Sequence, residues 1–347
     1  MQKSIFRITK QTNSLCLFAS KVCGSVVQNT HKIGFLQEII LKMNDEKKRS
    51  LTKEGEKMKV AFLGTGLMGL PMAQRLLEAN VEVIAYNRTP EKLEPLKAAG
   101  AEVVTRPYQA INAADCTILM LSNAGAIYSV LLSDRSWQTV AGRSIIQMGT
   151  ITPSESKEIR DAVVAAGGEY LEAPVLGSIP EVKDGKLIVM VGAHQEQYQR
   201  HLELFKHFGP EPLLVGPVGS ASALKLALNQ LIASLTTAFG LSLGFAQHQG
   251  INVDLFMYVL RQSALYAPTF DKKLQRMLEG NYANANFPTK HLMKDVDLFI
   301  AEAKSTSLNL SSIQGVRDII DMAMKMSFSN ADYSSIFSAI NASTDGA

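Results

Sequence analysis

Met58-Lys59-Val60-Ala61-Phe62-Leu63-Gly64-Thr65-Gly66-Leu67-Met68-Gly69 is the stretch that decides the fold. Residues 58–63 read as a short apolar strand, and a helical pattern follows the last glycine to about Ala79. Between them Gly64, Gly66 and Gly69 have the G-x-G-x-x-G spacing. In that pattern the first glycine permits a tight turn and the second lets backbone approach a pyrophosphate. The third lets the helix pack close to the strand, and the helix N-terminus offers free N–H groups to the anion. A glycine triplet alone is often only a turn. Here the strand before, the helix after and a second strand over 81–86 agree, so a dinucleotide-binding unit is predicted.

Outward from this loop, strands and helices alternate. A helix over 90–99 opens on Pro90, strands follow over 116–121 and 144–148, and Thr152-Pro153-Ser154-Glu155 starts another helix. Strands over 170–173 and 187–192 continue the alternation. Such repetition implies a parallel sheet covered on both faces, because parallel strands need crossover helices. After Gly219 the pattern changes. Residues 222–249 contain no proline, only Gly240 and Gly244 as glycines, and few polar positions. A helix of roughly 28 residues would span about 42 Å there, with most of its surface buried. From Asp254 to about Ile340 only helical patterns follow, broken at Pro268 and Pro288. The expected fold is therefore α/β: a Rossmann-type doubly wound parallel sheet over 58–219, followed by an all-α C-terminal domain over 220–347.

Residues 1–57 stand apart from that fold. They carry 11 of the 35 Lys and Arg but 5 of the 32 Asp and Glu, which leaves 24 against 27 in the body. The overall charge of +3 thus belongs to this piece, and the body has no bulk electrostatic reason to bind nucleic acid. Residues 1–37 hold five Lys or Arg and no Asp or Glu, as organelle transit peptides do. The other explanation is a start codon assigned upstream of the true one. The abrupt fold signal at Met58 favours it, as does Lys53-Glu54-Gly55, which a ribosome-binding sequence could encode. A cytoplasmic location is expected, or an organellar one if 1–57 is a transit peptide.

An apolar content of 46% with 19% charged residues describes a globular chain, and no uninterrupted apolar run reaches the ~20 residues of a membrane-spanning helix. No membrane and no nucleic-acid partner are expected. Of three cysteines, Cys16 and Cys23 precede the fold and Cys116 lies in an apolar strand pattern. That is too few for a disulfide framework or a zinc site, so no metal is expected.

Cofactor preference is read at the end of the second strand. An NAD enzyme usually places Asp or Glu there for the ribose hydroxyls. This chain has Tyr86-Asn87-Arg88-Thr89, with no carboxylate to repel a 2′-phosphate and a planar fork of donors on Arg88 that suits one. NADP(H) is expected over NAD(H), with Arg88 at the 2′-phosphate and Asn87 and Thr89 beside it as cofactor-binding residues; the plain alternative for Arg88 is a solvated loop residue.

Four motifs in order then resemble the β-hydroxyacid dehydrogenases, which include 3-hydroxyisobutyrate dehydrogenases and the NADPH-dependent glyoxylate and succinic semialdehyde reductases. The first is the glycine loop, Gly64-Thr65-Gly66-Leu67-Met68-Gly69, continued by Pro71-Met72-Ala73. The second, Glu172-Ala173-Pro174-Val175-Leu176-Gly177-Ser178, resembles the family's substrate loop. The third is Gly216-Pro217-Val218-Gly219 leading to Lys225 and Asn229, and the fourth is Phe287-Pro288-Thr289-Lys290-His291-Leu292-Met293-Lys294-Asp295. The likeness spans 58 to about 340. It implies hydride transfer between a nicotinamide cofactor and a small aldehyde acid or hydroxy acid, with Lys225 as general acid and base.

The chemistry makes sense of that lysine. Carbonyl reduction builds negative charge on oxygen, which a nearby ammonium stabilises and protonates. For the reverse reaction the amine must accept a proton, so burial or a neighbouring cation has to lower its pKa from about 10.4. Asn229, four residues on, shares its helix face. An arbitrary lysine early in a helix is a surface charge, yet Leu224-Lys225-Leu226-Ala227-Leu228-Asn229 is apolar around its polar pair. The resemblance further places Thr150 beside nicotinamide and substrate, Leu121 and Ser122 on the adenosine side, and Lys294 against the cofactor. As an isolated residue, Lys294 could equally pair with Asp295 or Asp297.

The chain departs from the family where Leu176 replaces a more usual serine, which removes one donor for the substrate carboxylate. The backbone N–H groups of Gly177 and Ser178, and the Ser178 hydroxyl, are expected to bind it instead. Ala221 stands where glycine is frequent and is expected to be tolerated. An imine reductase shares the architecture but usually lacks the lysine; a non-catalytic dinucleotide-binding module need not keep Lys225, Asn229 and Lys294 together. The apolar surface of the long helix predicts a homodimer or homotetramer.

Overall fold

The computed structural model describes residues 58–341. The expected extension over 1–57, with Cys16 and Cys23, lies outside the described residues.

The strands are β1 (Lys59–Leu63), β2 (Glu82–Tyr86), β3 (Glu102–Val103), β4 (Cys116–Leu119), β5 (Ser144–Gln147), β6 (Glu169–Glu172), β7 (Val175–Leu176), β8 (Ile188–Gly192) and β9 (Leu213–Gly216). They form one sheet in the order β3-β2-β1-β4-β5-β6-β8-β7, with β9 paired to β8. From β3 to β6 every pairing is parallel. The order reverses between β1 and β4, the point where doubly wound sheets bind ligands at the carboxyl ends of their strands.

β8 departs from the expected all-parallel sheet: it runs antiparallel to β6 and to β7. The helix Ile179–Asp184 between β7 and β8 has six residues. At 1.5 Å per residue it covers about 9 Å, too little to return the chain along a strand of roughly 16 Å. The segment expected as one helix over 90–99 is a 3-10 turn, Pro90–Leu93, followed by the helix Glu94–Ala98. Pro95 lies in the first turn of the second piece, where a missing N–H costs nothing.

Both faces of the sheet are buried, as parallel strands require. Val60 and Phe62 of β1 pack with Met72, Ala73 and Leu76 of the helix Gly69–Glu78. Ala61 and Leu63 point the other way, into a second core with Ile111, Ile127 and Ile159.

Beyond β9 the described elements are helices, apart from one isolated bridge between Pro288 and Asp332. Ser220–His248 is a single helix of 29 residues. It packs against the helices Thr289–Ala303, Ser311–Ala323 and Ile336–Ile340. By length and composition it is the one described helix apolar enough to cross a membrane. The expectation from uninterrupted runs missed it because isolated Ser, Thr and Asn scarcely dilute its Leu, Ala and Phe. Its buried face nevertheless carries Ser222, Lys225, Asn229, Thr236 and Thr237.

Candidate active site

The glycine loop leaves β1 at the switch point, and each glycine has a separable reason. Gly64 has φ +102°, and a Cβ there would lie 2.4 Å from the carbonyl oxygen of Met120, the residue just past β4. At Gly69 a Cβ would sit 2.0 Å from the Gly64 oxygen, so only glycine lets the helix start this close to the strand. At Gly66 it would meet no protein atom within 4 Å, so packing does not explain that glycine. Approach of a phosphate to its backbone does.

The expected cofactor residues line the same edge of the sheet. Thr65 donates its N–H to Asn87 Oδ1 at 3.2 Å, and Asn87 Nδ2 donates to the Thr89 carbonyl at 2.9 Å. Asn87 therefore ties the loop to the end of β2. Leu67 is exposed and Met68 half-buried at the loop's crest. Arg88 is exposed and makes no hydrogen bond or ion pair with another described residue. Leu121 and Ser122 follow β4 and Thr150 follows β5; a Cβ at Gly149 would come within 2.5 Å of the Leu121 oxygen, so these two strand ends touch. Together these residues fit a dinucleotide.

Glu172, at the end of β6, joins sheet to helices. Its Oε1 accepts the backbone N–H groups of Gly219, Ala221 and Ser222 at 2.8, 2.9 and 3.1 Å. Its Oε2 accepts the hydroxyls of Ser222, at 2.6 Å, and Ser156. These backbone groups open the long helix, whose first N–H groups otherwise lack partners. Ala221 is buried in that first turn as an ordinary helical residue.

One turn further, Lys225 is 9% exposed and Asn229 is buried. Asn229 Nδ2 donates to Asp295 Oδ2 at 2.6 Å. A carboxylate only accepts, so the amide nitrogen must face Asp295, and the Asn229 Oδ1 is left buried without a partner among the described residues. Lys294 lies 2.7 Å from Asp295 Oδ1, at ion-pair distance but outside hydrogen-bond angles, and donates to the Thr150 carbonyl at 2.8 Å. Asn229, Asp295, Lys294 and Thr150 thus form a run from the long helix to the end of β5, and Lys225 lies one turn before Asn229 within the electrostatic reach of Asp295 and Lys294. Lys225 itself has no hydrogen-bonding partner among the described residues. Burial pushes its ammonium down to about 8; Asp295 opposes the fall and Lys294 adds to it. Asp295 was expected only as a partner for Lys294, and it also orients Asn229.

In the substrate loop the Ser178 donors have an internal partner. Ser178 donates both its N–H, at 2.8 Å, and its hydroxyl, at 2.7 Å, to Glu181 Oε2. These donors, expected for a substrate carboxylate, already hold a carboxylate. The Ser178 hydroxyl is the main cause holding Glu181 down at about 2, against the opposing effect of burial, and Lys272 lies 3.5 Å away. Gly177 has φ +133°, and a Cβ there would lie 2.6 Å from a Leu187 methyl carbon. Leu176 is half-buried beside it. No hydrogen bond joins Gly177 or Ser178 to Lys225 or Asn229.

Comparison with known proteins adds the family. Residues 59–216 match the model of the NAD-binding domain of 6-phosphogluconate dehydrogenase. Residues 219–340 match the NAD-binding model of NADP-dependent 3-hydroxyisobutyrate dehydrogenase. The chain is 29% identical over 290 residues to glyoxylate/succinic semialdehyde reductase 1 of Arabidopsis thaliana, covering 83% of this chain and all of that one. Among solved structures, Mycobacterium tuberculosis 3-hydroxyisobutyrate dehydrogenase with L-serine shares the fold at TM-score 0.76, with 20% identity over 83% of this chain and 100% of that one. A Streptomyces aurantiacus imine reductase does so at TM-score 0.57, with 22% identity over 80% and 98%. The fold alone therefore does not separate carbonyl from imine chemistry.

Proposed function

Because the chain belongs to the 3-hydroxyisobutyrate dehydrogenase-like β-hydroxyacid dehydrogenases, we propose that it moves a hydride between NADP(H) and a small aldehyde acid or its hydroxy acid, with Lys225 handling the proton. It is an oxidoreductase with a nicotinamide dinucleotide cofactor and a small-molecule substrate. The substrate class proposed, with glyoxylate and succinic semialdehyde as its first members, follows the A. thaliana relative. Lys225 carries the reading: a buried lysine without a hydrogen-bond partner, pushed down to about 8, sits beside the run of polar groups that reaches the cofactor-side strand ends. A structural lysine at such depth would be paired.

Gly64–Gly69, Asn87, Arg88, Thr89, Leu121, Ser122 and Thr150 would hold the cofactor, which supplies or accepts the hydride when bound. Arg88, exposed and uncommitted, supports the NADP(H) preference by offering its guanidinium to a 2′-phosphate. In reduction, Lys225 Nζ stabilises the negative charge growing on the carbonyl oxygen and delivers a proton to it. In oxidation, the neutral amine takes the hydroxyl proton. Asn229 presents Oδ1, an acceptor that suits a substrate hydroxyl. Lys294, anchored on Thr150, holds Asp295 and through it Asn229.

An exposed apolar surface shared by the long helix (Leu241, Phe245), the next helix Val253–Gln262 (Leu255, Tyr258, Val259) and Leu265 beyond it supports a homo-oligomer. Leu241, Phe245, Leu255, Tyr258, Val259 and Leu265 are each more than half exposed. Light scattering of the purified protein should then give a dimer or larger, and Phe245→Asp should reduce it.

The function is tested by following NADPH absorbance with glyoxylate, succinic semialdehyde and tartronate semialdehyde, with NADH alongside. Turnover of at least one, favouring NADPH, is expected. Oxidation of neither cofactor by any of them would reject the proposal.

A further inference from the structure

Ser222, Lys225 and Asn229 form one buried polar stripe along the long helix, spaced by three and four residues. Each end of the stripe is held by a carboxylate from another element. Asp295, on the helix Thr289–Ala303, takes Asn229 at the far end. Glu172, on β6, takes Ser222 and the opening backbone N–H groups at the near end. Lys225 lies between the two.

The Glu172 clamp is built for this place. Glu172 is fully buried and forms no ion pair among the described residues. Its five donors, from the long helix and from Ser156, fill its acceptor positions and replace lost hydration. Helix-terminal N–H groups with the helix dipole supply the compensating positive field. Room for the carboxylate exists because β8 carries glycine directly opposite, in register. A Cβ at Gly192 would stand 2.5 Å from Glu172 Oε1.

We propose that Glu172 is a positioning residue for the reaction: it fixes the phase and height of the long helix so that Lys225 stays buried and aimed between Glu172 and Asp295. This rests on the reading of Lys225 as the proton donor and acceptor. A bond to Ser222 one turn before Lys225 resists both rotation and sliding of that face, and Asp295 alone leaves the start of the helix free to fray. Released from the clamp, the first turns admit water, the Lys225 ammonium is hydrated, and its pKa rises toward the free value of about 10.4. The charged groups acting on Lys225, Asp295 and Lys294, sit on the helix Thr289–Ala303, which the substitution does not touch.

The test compares wild type, Glu172→Gln, Glu172→Asp and Ser222→Ala for kcat, KM, the pH midpoint of the reducing reaction and NADPH affinity by fluorescence. Glu172→Gln is expected to lower kcat by about tenfold or more. Its pH midpoint should move upward from about 8, while NADPH affinity stays within about twofold because the glycine loop is untouched. Ser222→Ala removes one bond, keeps the fold, and moves both readouts less in the same direction; Glu172→Asp retains the charge and falls between. A folded Glu172→Gln with wild-type kcat and midpoint overturns the proposal. If that variant does not fold, a wild-type midpoint in Ser222→Ala overturns it. Should Lys225→Ala keep wild-type activity, the reading of Lys225 fails first and takes the positioning role with it.

Discussion

Replacing Glu181 by alanine releases the two donors of Ser178 that the substrate loop otherwise commits internally. The bonds are 2.8 and 2.7 Å long and end on a carboxylate. Buried bonds of this charge-assisted kind are worth about 1.5–3 kcal/mol each. Glu181 keeps 31% of its side chain in solvent, so screening reduces the pair together to roughly 1–2 kcal/mol. A substrate carboxylate seated on Ser178 must displace that contact and meets the Glu181 charge as it does so. With 1.4 kcal/mol per factor of ten, Glu181→Ala should lower the KM for glyoxylate roughly tenfold. An uncharged aldehyde of similar size should show no such gain. Glu181→Gln, which keeps a neutral acceptor, should fall between. The assay is steady-state NADPH oxidation with both aldehydes and all three proteins. Equal KM values for glyoxylate in parent and Glu181→Ala would refute the reasoning, as would equal gains for acid and uncharged aldehyde.

Three further outcomes follow from named groups. Because Lys225 must carry its proton during reduction and lack it during oxidation, reductive kcat should fall as pH rises through about 8 while oxidative kcat rises; profiles flat from pH 7 to 9.5 would contradict this. Arg88→Asp should turn the ratio of kcat/KM from NADPH toward NADH by putting a carboxylate against the 2′-phosphate, and an unchanged ratio would remove Arg88 from that role. His201 is buried with neither ring nitrogen bonded, and burial, helped by Arg200, holds it down at about 4 while Glu169 opposes. The unfolded chain therefore takes up this proton first: stability is unaffected above pH 6.5 and falls as pH drops from 6.5 toward 4, by roughly 3 kcal/mol when complete. Urea unfolding at pH 7 and 4.5 should show a smaller acid loss in His201→Leu than in wild type, and equal losses would sink the argument.

What the sequence made legible was whatever depends on local spacing. The glycine loop is local chemistry, and its three glycines meet the three steric situations that their positions imply. Lys225 and Asn229 were named by the family resemblance, and their four-residue spacing then put them on one helix face. The groups that orient them were not, because they come from far along the chain: Asp295 is 66 residues from Asn229, and Glu172 is 47 to 50 residues from its backbone donors. The antiparallel turn of β8 escaped for the same reason, since alternation of apolar segments does not record strand direction. Ser178 is different. Its spacing to Glu181 is that of a capping box, S-x-x-E, and this local signal predicts the internal contact that the resemblance to a substrate loop obscured.

The role of Lys225 is tested most directly by Lys225→Ala, measured by single-turnover NADPH oxidation beside NADPH binding. Binding should be like that of wild type and turnover lower by roughly a hundredfold or more. Turnover within a few-fold of wild type, with binding intact, would contradict that role and move the proton to another group.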